Sequence, residues 1–115
     1  DLLATTGMLA TEGLDMFPQI DISVFSTDAF SVERGLMEYS MEVTLLKRNI
    51  LQKTDRLFAV LDHRKFNASA SASTCGCERV DTLITDAVIP EEGKRLLTEK
   101  GVTLETVLIR DDKNK

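Results

Sequence analysis

The sequence predicts an α/β domain, a mostly parallel sheet flanked by helices. Two observations carry this. The apolar runs Leu57-Phe58-Ala59-Val60-Leu61 and Thr82-Leu83-Ile84-Thr85 each stop abruptly at a carboxylate, Asp62 and Asp86, which is how buried parallel strands deliver polar residues to a sheet edge. Stretches of helical period alternate with the strand-like runs, as they do where helices link parallel strands.

Taken in order, Met8, Leu9, Leu14 and Phe17 fall at helical spacing and predict a helix over 7–17, ended by Pro18. Ile20, Ile22, Val24 and Phe25 predict a strand that runs into the polar group Ser26-Thr27-Asp28. From Ser26 to Tyr39 no period is evident, and this stretch, with Gly35, reads as a long loop of functional length. Ser40 is placed to N-cap a helix over 41–54, with Glu42 in its first turn and Val43, Leu46 and Ile50 on one face. A strand over 57–61 follows. The Ala- and Ser-rich stretch 67–76 lacks core-forming bulk and reads as a loop or a short weak helix.

After a strand at 82–85, Pro90 opens a helix that runs to about Lys100, with Gly101 as its C-cap. Val102, Leu104, Thr106 and Leu108 alternate along a last strand, and the charged tail 110–115 is expected to fray. With helices expected on both faces, four strands are few for a doubly wound sheet, and the chain opens on a helix. We therefore expect one domain over 1–115, the C-terminal part of a larger fold.

A length of 115 residues fits one modest core, and 43% apolar with 29% charged residues is ordinary globular material. No apolar run approaches the ~20 residues of a membrane span, and the N-terminus lacks the layout of a signal peptide, so the expected location is the cytoplasm, away from membranes. A net charge of −5 argues against a surface built to neutralise phosphates, so this chain alone is not expected to bind DNA. Cys75 and Cys77 make half of a tetrahedral metal site at most, and His63 is the sole histidine; we expect reduced loop cysteines, no metal and no cofactor.

Asp62 and Lys65 leave the same strand end together. A carboxylate that accepts hydroxyls beside an ammonium that faces an anion suits a polyhydroxylated, anionic small molecule, and ligands of open α/β sheets bind at that edge. A surface ion pair or a loop cap is the alternative. Thr27 and Asp28 hold the same position after the preceding strand, where an Asx-turn is the competing account. Glu42 either complements its helix dipole or sits over the pocket. Lys47 and Arg48 read as a solvated face, Asp86 as turn chemistry before Pro90, and His63 as an exposed loop residue.

The signatures Leu61-Asp62-His63-Arg64-Lys65-Phe66-Asn67 and Val80-Asp81-Thr82-Leu83-Ile84-Thr85-Asp86 resemble the C-terminal sensor domain of DeoR-type bacterial transcriptional repressors. Gly7, Asp21, the Asp28 and Gly35 loop, and Glu42 with Lys47-Arg48 stand at matching distances, so the resemblance covers residues 5–109. It implies a fold shared with sugar-phosphate isomerases and CoA transferases, and a role in sensing phosphorylated sugars. By position, Asp62 and Lys65 match the family's Asp-x-x-Lys effector pair, and Glu42 its acidic helix residue. The family's winged-helix DNA reader and its Gly-Thr-Thr type phosphate loop are absent from this sequence, and Ser26-Thr27-Asp28-Ala29-Phe30 departs from the glycine-rich form usual there.

The leading expectation is therefore a non-enzymatic, ligand-sensing and oligomerising module of a carbohydrate-metabolism repressor. It takes its effector at Thr27, Asp28, Glu42, Asp62 and Lys65 and acts on DNA only through a separate domain. Self-association is expected through apolar residues of the Met41 to Ile50 or Met8 to Phe17 helix. The alternative is a sugar-phosphate isomerase-like enzyme of the same fold, with Asp28 or Glu42 as base, since fold does not fix function.

Overall fold

The structure, a computed structural model, describes Met16 and residues 18–108. The expected 7–17 helix, apart from Met16, and the charged tail lie outside the described residues. Strand β1 (Ile20–Phe25) is followed by the short strands β2 (Ala29–Ser31) and β3 (Gly35–Glu38), helix α1 (Met41–Gln52) and strand β4 (Thr54–Leu61). Then come β5 (Ala72–Cys75), β6 (Thr82–Thr85), helix α2 (Glu91–Glu99) and β7 (Thr103–Thr106), with single 3-10 turns at His63–Lys65 and Cys77–Arg79.

β1, β4, β6 and β7 form one parallel sheet in the order β1-β4-β6-β7, the expected α/β architecture. Its inward positions Phe25, Leu57, Ala59, Leu61 and Leu83 are all buried, and Leu51 of α1 and Leu97 of α2 join the same cluster. Both helices therefore cover one face. The alternate positions Ile22, Val24 and Val60 stay 49%, 55% and 42% exposed, so among the described residues the other face is open rather than helix-covered.

The helix over 41–52 forms for the reasons legible in its sequence. Ser40 is extended and its hydroxyl accepts the Val43 N–H at 3.2 Å, which satisfies one of the donors a helix start leaves over. It stops two residues before the expected end because Thr54 already belongs to β4, pairing with Ile20. The Thr54 hydroxyl donates to the Ile50 carbonyl at 2.7 Å and meets the Ser23 hydroxyl at 2.7 Å. At the other helix, Pro90 stands at the N-cap and Gly101 follows the last turn with φ 82°, a left-handed conformation glycine adopts freely.

Two expectations are corrected. The stretch 26–39 is no loop but holds the β2–β3 hairpin, and 72–75 in the Ala- and Ser-rich stretch is a strand; together they make a three-stranded antiparallel sheet in the order β2-β3-β5. Every residue of Gly35–Glu38 is buried, so β3 shows no alternation, and a register shift lies between Leu36 and Met37. β5 is Ala-Ser-Thr-Cys, too small in side chain to read as core. Its sequence hides a strand that pairing alone creates.

The same small sheet explains the cysteines. Burial pushes the thiols of Cys75 and Cys77 up to about 11. Near neutral pH the native chain therefore holds about a hundredfold less thiolate than a free cysteine. Alkylation by iodoacetamide is expected to be slow in the native protein and fast in denaturant. Equal rates in the two states would contradict the burial.

Candidate functional site

The loops after β1 and β4 open side by side, since Phe25 pairs with Ala59 and the strands run parallel. Between them lies a hollow of about 320 Å³ lined by Ser26, Thr27, Asp28, Glu38, Val43, Lys47, Val60, Leu61, Asp62 and Lys65. Of the five residues singled out in the sequence, the structure thus brings Thr27, Asp28, Asp62 and Lys65 together. Glu42 is not in the lining; it sits exposed on the first turn of α1. The acidic side chain at the hollow is instead Glu38, on a strand the sequence pattern does not reveal.

Glu38 and Lys47 form the base. Their side chains are 6% and 5% exposed, and Lys47 Nζ donates to Glu38 Oε2 at 2.7 Å. The same ammonium donates to the Ser26 carbonyl and lies 5.2 Å from the centre of the Phe25 ring. Thr27 completes the cluster, its hydroxyl within hydrogen-bond reach of the Met37 carbonyl at 2.6 Å and of the Glu38 carboxylate. Lys47 is therefore no solvated-face lysine. A buried cation needs a buried partner, and the hairpin supplies it nine positions upstream, across the loop from α1. Arg48, by contrast, is exposed as expected, though its guanidinium donates to the Ser73 carbonyl at 3.0 Å through Nε.

Asp28 and Asp62 line the hollow from the loops after β1 and β4. Asp28 Oδ2 accepts the Tyr39 N–H at 2.9 Å, which closes the hairpin at its mouth. Asp62 caps the 3-10 turn by accepting the Arg64 N–H at 2.8 Å, and the Arg64 guanidinium clasps both carboxylate oxygens at 3.2 and 3.0 Å. Those bonds to Arg64 hold the Asp62 carboxyl down to about 2, so it stays ionised at any physiological pH. The stabilisation from this contact is present above the ordinary carboxylate value and is lost only as pH falls toward about 2. Lys65 lines the hollow too, and among the described residues its ammonium has neither ion pair nor hydrogen bond.

Asp86 is not spent on the turn before Pro90. That turn is closed by the Thr85 hydroxyl, which accepts the Ala87 N–H at 3.0 Å. Asp86 reaches across to His63, accepting its N–H at 2.7 Å and lying 3.0 Å from its Nδ1. That contact holds the Asp86 carboxyl below the usual carboxylate range. His63 is exposed, as expected, but paired.

A parallel α/β sheet with a polar hollow at the carboxyl ends of its strands is the architecture of ligand-binding α/β domains. The chain matches the DeoR C-terminal sensor domain over residues 2–87 and belongs to that family. It is 34% identical over 89 residues to the HTH-type transcriptional regulator GolR of Listeria innocua, covering 73% of this chain and 35% of that protein. To the glycerol-3-phosphate regulon repressor of Escherichia coli it is 26% identical over 101 residues, covering 86% of this chain and 40% of that protein. A putative aga operon transcriptional repressor of Escherichia coli is 29% identical over 89 residues, covering 77% of this chain and 32% of that protein. The chain spans about a third of the length of the curated relatives it matches. No helix among the described residues is long and apolar enough to cross a membrane.

Proposed function

We propose that this chain is the effector-sensing part of a DeoR-type transcriptional repressor of carbohydrate metabolism, and that the hollow takes a phosphorylated sugar or polyol. The observation that carries this reading is the Lys65 ammonium, which among the described residues has no ion pair or hydrogen bond and meets only the charge of Asp62, in a hollow whose other charged groups are already engaged. An entering anion meets one uncommitted cation, while the spare lone pairs of Asp28 and Asp62 accept hydroxyls. The name of one relative, the glycerol-3-phosphate regulon repressor of Escherichia coli, supports the same class of ligand.

Binding would bias the arrangement of subunits in a homo-oligomer and so alter operator affinity through a separate DNA-binding domain. The two affinities are then reciprocally linked, and the shift is bounded by the ligand's preference between the two arrangements. An isomerase-like enzyme fits less well: of its candidate bases Glu42 lies outside the lining, Glu38 is committed to Lys47 and Thr27, and only Asp28, which accepts the Tyr39 N–H, is left to take a substrate proton.

Calorimetric titration of the full-length protein with glycerol 3-phosphate, a pentose phosphate and a hexose phosphate tests this, with inorganic phosphate as control. Lys65→Ala and Asp62→Asn are each expected to weaken binding by at least about 1.5 kcal/mol, the scale of a lost charge-assisted hydrogen bond. Unchanged titrations in both variants would remove these residues from the site. No binding of any phosphate by the unmodified protein would sink the reading itself.

A further inference from the structure

We infer that Asp86 is a positioning residue for the hollow, acting through His63 to hold the Asp62 to Phe66 turn so that Lys65 stands in its wall. The inference rests on the reading of the hollow given above. Leu61 and Thr85 are register partners on neighbouring parallel strands, so Asp62 and Asp86 are the equivalent next residues at two adjacent strand ends. Their carboxylates part ways. Asp62 folds back onto its own turn through Arg64, whereas Asp86 crosses to the neighbouring strand end and takes both His63 donors, the backbone N–H at 2.7 Å and Nδ1 at 3.0 Å. An ionised carboxylate only accepts, so Nδ1 carries the proton in this bond.

The Asp86 side chain is 13% exposed against 64% for His63, so the anchor is fixed in the protein body and the anchored residue is at the surface. The far end of the turn is gripped separately. Phe66 bridges to Phe30 of β2, their rings meet edge to face with centroids 5.1 Å apart, and the Asn67 N–H donates to the Phe30 carbonyl at 2.8 Å. Lys65 lies between these grips, its own N–H donating to the Asp62 carbonyl at 3.1 Å. On the other side of the turn is a second cavity of about 500 Å³, lined by His63, Phe66 and Asn67 together with Val88 and Leu96. Space for the turn to swing is thus present once the His63 grip is released.

Asp86→Ala and Asp86→Asn in the full-length protein test this. Amide hydrogen exchange from His63 to Phe66 is expected to rise at least about tenfold in the alanine variant, with α1 unchanged. Affinity for a sugar phosphate that binds the unmodified protein is expected to fall about tenfold, to recover in part with asparagine, and to fall no further when Asp86→Ala is added to Lys65→Ala. Equal losses in the presence and absence of Lys65, or unchanged exchange in the turn, would overturn the inference. Faster exchange in a protein that binds no sugar phosphate leaves Asp86 as the anchor of the turn and strikes down the reading of the hollow instead.

Discussion

Lys47→Ala is expected to lower folding stability by about 3–5 kcal/mol, the cost of leaving a buried charge without its partner. The Glu38 carboxylate is 6% exposed and takes its cation from Lys47 Nζ at 2.7 Å, so the variant leaves it with the Thr27 hydroxyl alone. The Ser26 carbonyl loses its donor as well, and the Phe25 ring its cation at 5.2 Å. Because Glu38 is on β3 and Lys47 on α1, the pair ties the hairpin to the helix as well as flooring the hollow. Urea unfolding of the single variants and of the double variant Glu38→Met, Lys47→Met separates the terms. The double variant should recover most of the loss, since apolar groups of similar size replace a buried ion pair at little cost. A single variant within about 1 kcal/mol of the unmodified protein would show that solvent reaches the pair and that it does not fasten the two elements.

How far this arrangement was legible in the sequence follows from which interactions are local. β1 and β6 have the bounds their apolar runs predict, because a strand in a parallel sheet with one face packed on the core needs apolar residues whatever its partner. The start of α1 was equally plain, since Ser40 caps its own neighbours. The hairpin was not. Its strands are three and four residues long, β3 is buried at every position, and the register is irregular, so neither period nor length marks it.

The misreading of Lys47 descends from that one omission. With 26–39 read as a loop, nothing in the sequence places Glu38 opposite Lys47, so the lysine reads as a solvated face, while Glu42 is singled out by its first-turn position and by its match to the family's acidic helix residue. Thr27, Asp28, Asp62 and Lys65 share the lining of the hollow because strand ends define an edge, and residues just past a buried strand land on it. Asp86 stands at the same edge but reads as turn chemistry, since no sequence pattern says that a carboxylate will bond across to the next strand's turn.

Gly35→Ala is expected to cost about 2–5 kcal/mol, from about 1–2 for a side chain held at left-handed φ and about 1–3 for overpacking. Gly35 opens β3 with φ 77°, and an added Cβ would collide with the Cys75 carbonyl oxygen and lie 2.8 Å from the Cys77 nitrogen. Both are backbone atoms of the facing turn, so no rotamer change relieves the contact and either β3 or the Cys75 to Cys77 turn must move. Glu38 is on the same short strand, so the displacement carries to the Lys47 pair and to the hollow. Gly101→Ala is the control. Its φ is 82°, but nothing lies within 4 Å of the added Cβ, so it bears the backbone strain alone, about 1–2 kcal/mol. Thermal unfolding of the two variants side by side isolates the close approach. Equal losses would mean that the hairpin yields freely, and a hollow floored by a yielding hairpin could not hold Glu38 against Lys47 in the way its geometry requires.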